Sequence, residues 1–290
     1  MARPLPLERR LGDLTRARLP PRLAEFVMFV LKQGWACLFG GLMLAALLVS
    51  AAIWQPDWPV HRYDALLVFA LVTQALFIAF RLETLAEARV ILLFHLTGTA
   101  MELFKVNAGS WAYPEPALTK LYGVPLFSGF MYAAVGSYIA RVIRLFDMVF
   151  APMPPVWTLW ALGAAIYANF FAHHYLPDIR LGLFAATILL FGRTQVLFTV
   201  GHRHKMPMPL AAVLTALALW LAENVGTATG TWLYSGQIAG QVVSLHKLGS
   251  WYLLLWVCLA TVTLVSRSAL SRSDPAGDAG TDLLAGRPDS

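Results

Sequence analysis

Two segments of the 290-residue chain follow one pattern, and this repetition constrains the possible fold more than any other feature. Each segment reads Glu, six residues, Gly, Ser or Thr, Trp, one residue and Tyr, and the second lies 121 residues after the first. The shared positions are Glu102, Gly109, Ser110, Trp111 and Tyr113, followed by Glu223, Gly230, Thr231, Trp232 and Tyr234. A Thr-Gln pair ending at Gln74 recurs at Gln195 with the same offset, so we interpret the chain as a duplicated unit.

Long apolar stretches place the chain in the membrane class. Hydrophobic residues make up 58% of the sequence and charged residues only 13%, whereas a soluble domain carries about 25% charged residues. Crossing a bilayer takes about 20 apolar residues in a helix, and apolar runs of this length without alternation indicate helices. We therefore predict an all-α, polytopic integral membrane bundle of about eight transmembrane helices. The predicted spans are 34–54, 64–80, 86–104, 124–143, 156–173, 180–199, 207–223 and 249–266.

The duplication divides these spans into two four-helix repeats, 34–145 and 156–268. An even number of spans in each copy predicts that both copies enter the membrane in the same direction, as a parallel repeat. Such repeats place their sites where the copies meet. The remaining segments are a basic N-terminal segment (1–33), a Pro-rich linker (146–155) and a tail predicted to be disordered (269–290). Within the first of these, residues 22–33 are predicted to form an amphipathic helix along the membrane surface.

Basic residues are distributed unevenly between the two predicted sides of the membrane. They accumulate in the N-terminal segment, in alternate loops and in the tail, as is typical of cytoplasmic segments. The opposite side holds only Arg62, Lys105, Lys120, Arg180 and Lys247. We therefore predict a multi-pass inner-membrane protein with both termini in the cytoplasm. The net charge of +6 then reflects this topology and attraction to anionic lipid, so we expect the lipid bilayer as partner and no nucleic acid.

Glu102 and Glu223 are the candidate catalytic residues. A carboxylate near the outer end of a membrane span is costly to bury without a partner and is often functional. In an apolar setting either glutamate could act as a general acid. The alternative is that each one caps the loop that follows, accepting hydrogen bonds from backbone N–H groups around Gly109 and Gly230.

Polar and aromatic residues near these glutamates are candidates for substrate binding. The aromatic rings either anchor the chain at the membrane interface or form the wall of a shared pocket. The two glutamines either bond across helices or line the same pocket. The complete candidate set is Gln74, Gly109, Ser110, Trp111, Tyr113, Gln195, Gly230, Thr231, Trp232 and Tyr234.

The histidines resemble parts of a metal-binding motif but are predicted to be too far apart to share an ion. His173-His174 and His202-x-His204 fall on opposite sides of a hydrocarbon layer about 30 Å thick. We therefore predict no metal site, and we interpret His95 as a satisfied core residue. The sequence contains no Walker loop, no Gly-rich dinucleotide turn and no nucleophile elbow, so we expect no cofactor.

Two stretches resemble the YoaT-like family of bacterial membrane proteins (domain of unknown function 817). They run from Phe104 to Glu115 and from Gly123 to Tyr138, and the segments around Cys37 and Gln74 are similar to that family as well. The resemblance covers about residues 25–270. It implies a membrane protein and carries no specific chemistry.

A weaker resemblance concerns the order Glu, Gly, Trp-x-Tyr and Gly-x-Pro. This order is similar to small-repeat carotenoid lycopene cyclases and carotenoid hydratase-like membrane proteins. The matching positions are Glu102, Gly109, Trp111, Tyr113, Gly123 and Pro125. The resemblance implies carboxylic acids that protonate a polyene without redox chemistry. The cyclases carry paired carboxylates after Gly-x-Pro, whereas here Leu-Phe-Ser-Gly follows.

These observations favour a membrane enzyme that modifies a lipid or isoprenoid through paired glutamates near the outer face. The chemistry would be acid–base isomerisation, cyclisation or hydration of an apolar substrate, without a cofactor. Two alternatives remain: a small-solute or proton-coupled transporter, and a structural membrane protein without catalysis.

Overall fold

The computed structural model describes residues 13–15, 17–238 and 240–265 of the chain. The predicted disordered tail (269–290) and the first twelve residues of the N-terminal segment lie outside the described residues. Helices dominate, as predicted. They are α1 (Pro21–Ala36), α2 (Leu38–Ile53), α3 (Arg62–Ala79), α4 (Leu85–Asn107), α5 (Phe127–Leu145), α6 (Val156–Ala172), α7 (Arg180–Phe191), α8 (Met208–Ala228) and α9 (Leu245–Val265).

Short strands accompany the helices, so the predicted all-α class is wrong in this detail. They are β1 (Trp111–Ala112), β2 (Lys120–Leu121), β3 (Val124–Pro125), β4 (Val149–Ala151), β5 (Gln195–Thr199), β6 (Arg203–Pro207) and β7 (Leu233–Tyr234). Strands β1 and β7 pair with each other, β2 pairs with β3, and the remaining three form a sheet in the order β4-β5-β6. All of these pairings are antiparallel.

Three described helices, α3, α8 and α9, are long and apolar enough to cross a membrane. The pair α1–α2 adds a fourth candidate if it forms one span broken by its 70° bend. Helices α4 and α5 have 23 and 19 residues, but charged residues such as Glu102 and Arg141 interrupt their apolar sequence. The structure is therefore that of a mostly helical protein consistent with a membrane location. Eight spans in two parallel repeats, and the orientation of the termini, stay predictions.

The predicted span 180–199 is wrong as a continuous helix. Helix α7 ends at Phe191 after 12 residues, about 18 Å, which is well short of a hydrocarbon layer of about 30 Å. The chain then forms β5, which hydrogen-bonds to β4 on one side and β6 on the other. Buried Val196 and Phe198 alternate with half-buried neighbours, so this part of the apolar run has the period of a strand. Arg193 lies exposed in the turn between α7 and β5.

The predicted linker 146–155 contains β4 and is tied to this small sheet. Val149 lies opposite Leu197, and Ala151 lies opposite Gln195. The same region also contacts α1, because the Lys32 ammonium donates to the Thr199 carbonyl at 2.9 Å. We call the region around β4–β6 the opposite end, in contrast to the motif end where the two repeated segments lie.

Close packing between α4 and α5 positions one side of the candidate site. These two helices make the most extensive helix–helix contact among the described residues. Gly98 on α4 lies directly beneath Tyr132, and Gly136 on α5 lies beneath Phe94, so a Cβ at either glycine would overlap the ring system. The missing side chains let the two backbones approach closely. Helix α9 packs against α6 and α8 and also contacts α4 and α5.

Candidate functional site

The two repeated segments meet at the motif end and pair through β1 and β7. Helices α4 and α8, which carry Glu102 and Glu223, are each followed by a glycine with positive φ. The φ angle is +70° at Gly109 and +64° at Gly230. Glycine adopts this conformation without the steric penalty that other residues incur. The chain then enters the short strands, where Trp111 lies opposite Tyr234. The Ser235 hydroxyl also donates to the Gly109 carbonyl, so the two segments are joined by backbone and side-chain hydrogen bonds.

Glu102 is the centre of the first cluster of hydrogen bonds. It is only 3% exposed, and its carboxylate accepts three side-chain hydrogen bonds. The Trp111 indole N–H donates to Oε2 at 2.7 Å and the Tyr113 hydroxyl donates to the same oxygen at 2.9 Å. The Tyr132 hydroxyl, from α5, donates to Oε1 at 2.6 Å. Burial raises the pKa of Tyr113 well above its ordinary value, and the Glu102 carboxylate raises it further, so this hydroxyl remains a donor.

Glu223 is the centre of a second, smaller cluster. Its Oε1 accepts from the Tyr234 hydroxyl, and its Oε2 accepts from the Trp251 indole N–H of α9 at 2.5 Å. The tyrosine lies 11 residues after the glutamate in both clusters, so this contact is common to the two segments. No backbone N–H of the described residues donates to either glutamate carboxylate, so the loop-capping alternative is wrong in its backbone form. The glutamates instead bind the aromatic donors of their own loops.

The two clusters touch each other across the β1–β7 pair. The rings of Trp111 and Tyr234 are 5.8 Å apart and nearly perpendicular, although one donates to Glu102 and the other to Glu223. The rings of Tyr132 and Trp251 are 6.4 Å apart. Both buried carboxylates therefore belong to one continuous aromatic arrangement.

One cavity of about 770 Å³ connects these clusters with the opposite end of the molecule. Glu102 and Glu223 both line it near the motif end. Phe29, Phe146 and Phe198 line it near the opposite end, and most side chains between the two ends are apolar. Other residues along its length are Cys37, Gly40, Gly41, Leu44, Tyr138, Leu214, Ala218 and Ala222. The shape and lining suit a long apolar chain with a polar group at one end.

The predicted binding residues separate into three groups. Ser110, Trp111, Tyr113, Trp232 and Tyr234 line the cavity. Gly109, Gly230 and Thr231 shape the loops without lining it.

Thr231, one of the loop-shaping residues, is fully buried and accepts a hydrogen bond from the Arg62 guanidinium at 2.5 Å. The third group, Gln74 and Gln195, lies away from the site. The Gln74 amide donates to Glu83 at 2.6 Å, and Gln195 begins β5 in the sheet of the opposite end.

Trp232 differs from its counterpart Trp111 in what it contacts. It does not donate to Glu223, since Trp251 occupies that role. Its six-membered ring instead lies directly over Gly226, where any Cβ would overlap it. The position equivalent to Gly226 in the first segment is Lys105, so the two copies are not interchangeable.

Several residues of the site were not among the predicted ones. Tyr132 and Trp251 supply donors from helices that follow the repeated segments, and no pattern in the sequence marks them. Lys105 and Lys247 were recognised only as rare basic residues on their predicted side of the membrane. That rarity is the signal in the sequence that points to them.

The histidines occupy separate ends, and the described residues contain no group of three or more His, Cys, Asp or Glu side chains able to hold a metal. His173 and His174 lie beside Lys105 at the motif end. His204 lies at the opposite end and contacts Glu25 at 2.8 Å. His95 packs against the Phe130 ring with 4.4 Å between ring centroids. Its Nδ1 lies against Gly129 of α5, and the interpretation of His95 as a satisfied core residue stays a prediction.

These features define a mostly helical protein with three or four candidate membrane spans, in which two buried glutamate clusters open into one apolar cavity. The chain belongs to the family described as "Protein of unknown function (DUF817)", which matches residues 25–259. It is 41% identical over 242 residues to "Uncharacterized protein YoaT" of Bacillus subtilis (strain 168), covering 83% of this chain and 91% of that relative. The resemblance to the YoaT-like family is thereby confirmed.

The chain is also similar to a solved structure. It is a crystal structure of a cross-linked MvINS trimer, with 15% sequence identity and a TM-score of 0.43. The similarity covers 64% of this chain and 97% of that chain. At this level the similarity supports no argument about function.

Proposed function

We propose that this protein binds an apolar lipid or isoprenoid in the cavity between its helices and transfers protons to and from it at one of its paired glutamates, which the other helps to position. The observation that carries the proposal is that both buried glutamates line one long, mostly apolar cavity. A transport site for a polar solute would be expected to have polar lining along its path, and a purely structural protein would have no need for a cavity of about 770 Å³.

Differences in hydrogen bonding support different proposed roles for the two glutamates. Glu102 accepts three donors, which hold it in place and leave little room for a substrate atom. Glu223 accepts only two, one on each oxygen. Glu223 is therefore the group we propose to exchange a proton with the substrate, while Glu102 orients the surrounding rings.

The proposed chemistry needs no redox partner. The Glu223 carboxylic acid would give its proton to a carbon–carbon double bond, leaving a carbocation on the substrate and a carboxylate on the protein. The carboxylate would then take a proton from a neighbouring carbon, which forms a double bond at a new position. The rings of Trp232 and Trp251 line the cavity near Glu223 and can stabilise the cation through their faces.

Glycine substitutions test whether the cavity holds a lipid. A Cβ at Gly41 on α2 meets no other atom within 4 Å, and Gly41 lines the cavity. Gly182 on α7 is equally unobstructed but does not line the cavity, so it is the matched control. We expect Gly41→Leu to reduce the amount of lipid that co-purifies with the protein, measured by mass spectrometry of extracts, and Gly182→Leu to leave it unchanged.

The proton-transfer step is tested in cells. Lipid profiles would be compared between the wild type, a deletion, and the deletion carrying Glu223→Gln. A lipid that accumulates in both the deletion and the Gln strain supports the proposal. An unchanged profile with a stable, inserted Gln variant contradicts it, and solute uptake would then be measured as the transporter alternative.

A further inference from the structure

Two lysines reach the motif end of the cavity without a carboxylate partner. Lys105 comes from the last turns of α4 and Lys247 from the first turn of α9. Both line the cavity. In the part of the chain that the structure describes, no carboxylate oxygen lies within the 4.0 Å ion-pair distance of either ammonium nitrogen.

The ammonium groups instead contact two imidazole nitrogens, which can accept hydrogen bonds, and the faces of aromatic rings. The Lys105 nitrogen lies 2.9 Å from Nε2 of His174, 3.4 Å from Nε2 of His173 and 4.1 Å from the centre of the Phe170 ring. The Lys247 nitrogen lies 3.8 Å from the centre of the Tyr234 ring and 5.6 Å from that of Trp111. An imidazole nitrogen can accept a hydrogen bond and a ring face attracts a cation, but neither supplies the negative charge of a carboxylate.

Other basic residues at the same end provide an internal comparison. Arg62 is buried and pairs with Glu115 at 2.8 Å. The Lys120 ammonium donates to the carbonyls of Tyr113 and Glu115, each at 2.7 Å. Within the described part of the chain, Arg62 and Lys120 therefore have oxygen acceptors, whereas Lys105 and Lys247 have none.

Burial makes the lack of a carboxylate partner energetically costly for these lysines. Lys105 is only 3% exposed, and a buried ammonium without a counter-charge is strongly unfavourable. Glu223 attracts Lys247 electrostatically but forms no ion pair with it, and its oxygens accept from Tyr234 and Trp251. Arg180 also lines the cavity, and its guanidinium is already paired with Asp178 at 2.5 Å. At the mouth of the cavity, Lys105 and Lys247 thus remain without an ion-pair partner among the described residues.

We propose that Lys105 and Lys247, with His173 and Arg180 beside them, bind the phosphate or carboxylate headgroup of a single-chain amphiphile. This inference rests on the proposed function, because the apolar chain of the same molecule would occupy the cavity below. The headgroup would supply the oxygen acceptors that the ammonium groups lack. Charge-assisted hydrogen bonds of this kind are stronger than those between neutral groups.

The inference is tested with probes that differ only in the headgroup. The full-length protein would be offered equal concentrations of hexadecyl phosphate, palmitate and hexadecanol, and bound probe would be counted by native mass spectrometry. We expect the two anions to bind at least about tenfold more tightly than the alcohol. Inorganic phosphate at the same concentration shows whether a free anion competes without a chain.

Two variants assign the effect to the lysines. Lys105→Gln and Lys247→Gln should each reduce binding of the anions by about tenfold and leave hexadecanol unchanged. Lys247 is only half-buried, so its variant keeps the test valid if Lys105→Gln does not fold. Lys205→Gln is the matched control, because Lys205 is exposed on β6 at the opposite end.

The possible outcomes separate this inference from the proposed function. Equal binding of the alcohol and the anions, unaffected by either variant, overturns the headgroup site and leaves the lipid cavity standing. Failure of all three probes to bind contradicts the lipid cavity itself. Competition by inorganic phosphate as strong as that by hexadecyl phosphate overturns the amphiphile and identifies a free phosphate site.

Discussion

Trp111 and Tyr234 lie opposite each other in the β1–β7 pair, yet they donate hydrogen bonds to different glutamates. Their rings touch at 5.8 Å between centroids, so the contact joins the Glu102 cluster to the Glu223 cluster. The two sites that the sequence separates by 121 residues are thereby one physical unit.

This contact predicts coupled effects on stability. Trp111→Phe and Tyr234→Phe each remove one donor from a buried carboxylate, and we expect each to lower the free energy of unfolding by about 1–3 kcal/mol. Because the two rings touch, the loss of unfolding free energy in the double variant should differ from the sum of the two single losses by at least about 0.5 kcal/mol. Denaturant unfolding in detergent measures all three values. Trp157→Phe and Tyr175→Phe, at exposed positions, are the matched controls, and strict additivity would contradict the coupling.

The glutamates themselves should differ in their structural importance. Glu102→Ala leaves three buried donors without an acceptor, whereas Glu223→Ala leaves two. We therefore expect Glu102→Ala to be the less stable variant by about 1–3 kcal/mol, the effect of one unsatisfied group. Thermal unfolding of the two purified variants gives the comparison. A Glu223→Ala variant as unstable as Glu102→Ala, or more so, would be evidence against the proposed roles.

Glutamine should be tolerated at both positions. At Glu102 the amide oxygen can accept from Trp111 and Tyr113, while the amide NH₂ donates to the Tyr132 hydroxyl, since a hydroxyl also accepts. At Glu223 the amide oxygen can accept from Trp251 and the NH₂ can donate to Tyr234. The Gln variants are therefore suited to testing chemistry without loss of the fold.

Gly226→Ala should destabilise the protein, although alanine is the better helix former. In an unobstructed helix the change from Gly to Ala is worth up to about 1 kcal/mol of stability. At Gly226, however, the new Cβ would overlap the Trp232 ring and displace it, at a cost of about 1–3 kcal/mol. We expect a lower melting temperature and a shift in tryptophan fluorescence.

Gly182→Ala is the control for this prediction, because its Cβ meets no atom within 4 Å. It should be neutral or stabilising by the propensity argument alone. If both alanine variants were stabilised equally, Trp232 could not be packed over Gly226 as the structure places it.

Acid should weaken the loop before α7. The ion pair with Arg180 holds the pKa of Asp178 below its usual range, and Asn169 adds a hydrogen bond at 3.1 Å. A carboxyl whose pKa is depressed in the folded state stabilises the fold fully at pH values above its unfolded-state pKa of about 3.9. This stabilisation is lost as the pH falls from there toward the folded-state pKa. The Asp178 side chain is 34% exposed and the Arg180 side chain 37%, so solvent screening keeps the stabilisation by this ion pair below about 1 kcal/mol.

Melting temperatures of the wild type and Asp178→Asn would be measured between pH 3 and pH 7. The difference between the two proteins should shrink as the pH approaches 3. A constant difference over this range would mean that the Asp178 charge does not stabilise the loop.

Much of the candidate site could be predicted because it depends on short spacings. A tyrosine 11 residues after each glutamate, with a glycine of positive φ between them, brings the hydroxyl back to the carboxylate in both segments. The helical class could be predicted for a similar reason, since long apolar runs have few alternatives in a membrane. Neither conclusion needed contacts between distant parts of the chain.

The rest was decided by tertiary structure, because it depends on contacts between residues far apart in sequence. Tyr132 and Trp251 reach the glutamates only through the packing of α5 and α9, and β1 meets β7 across 121 residues of sequence. The residues from Gln195 to Thr199 are apolar enough for a helix but form a strand, because β4 and β6 supply hydrogen-bond partners on both sides. Sequence alone therefore determined the glutamate–tyrosine units, while the tertiary fold decided that they share one cavity and that Lys105 and Lys247 lie at its mouth.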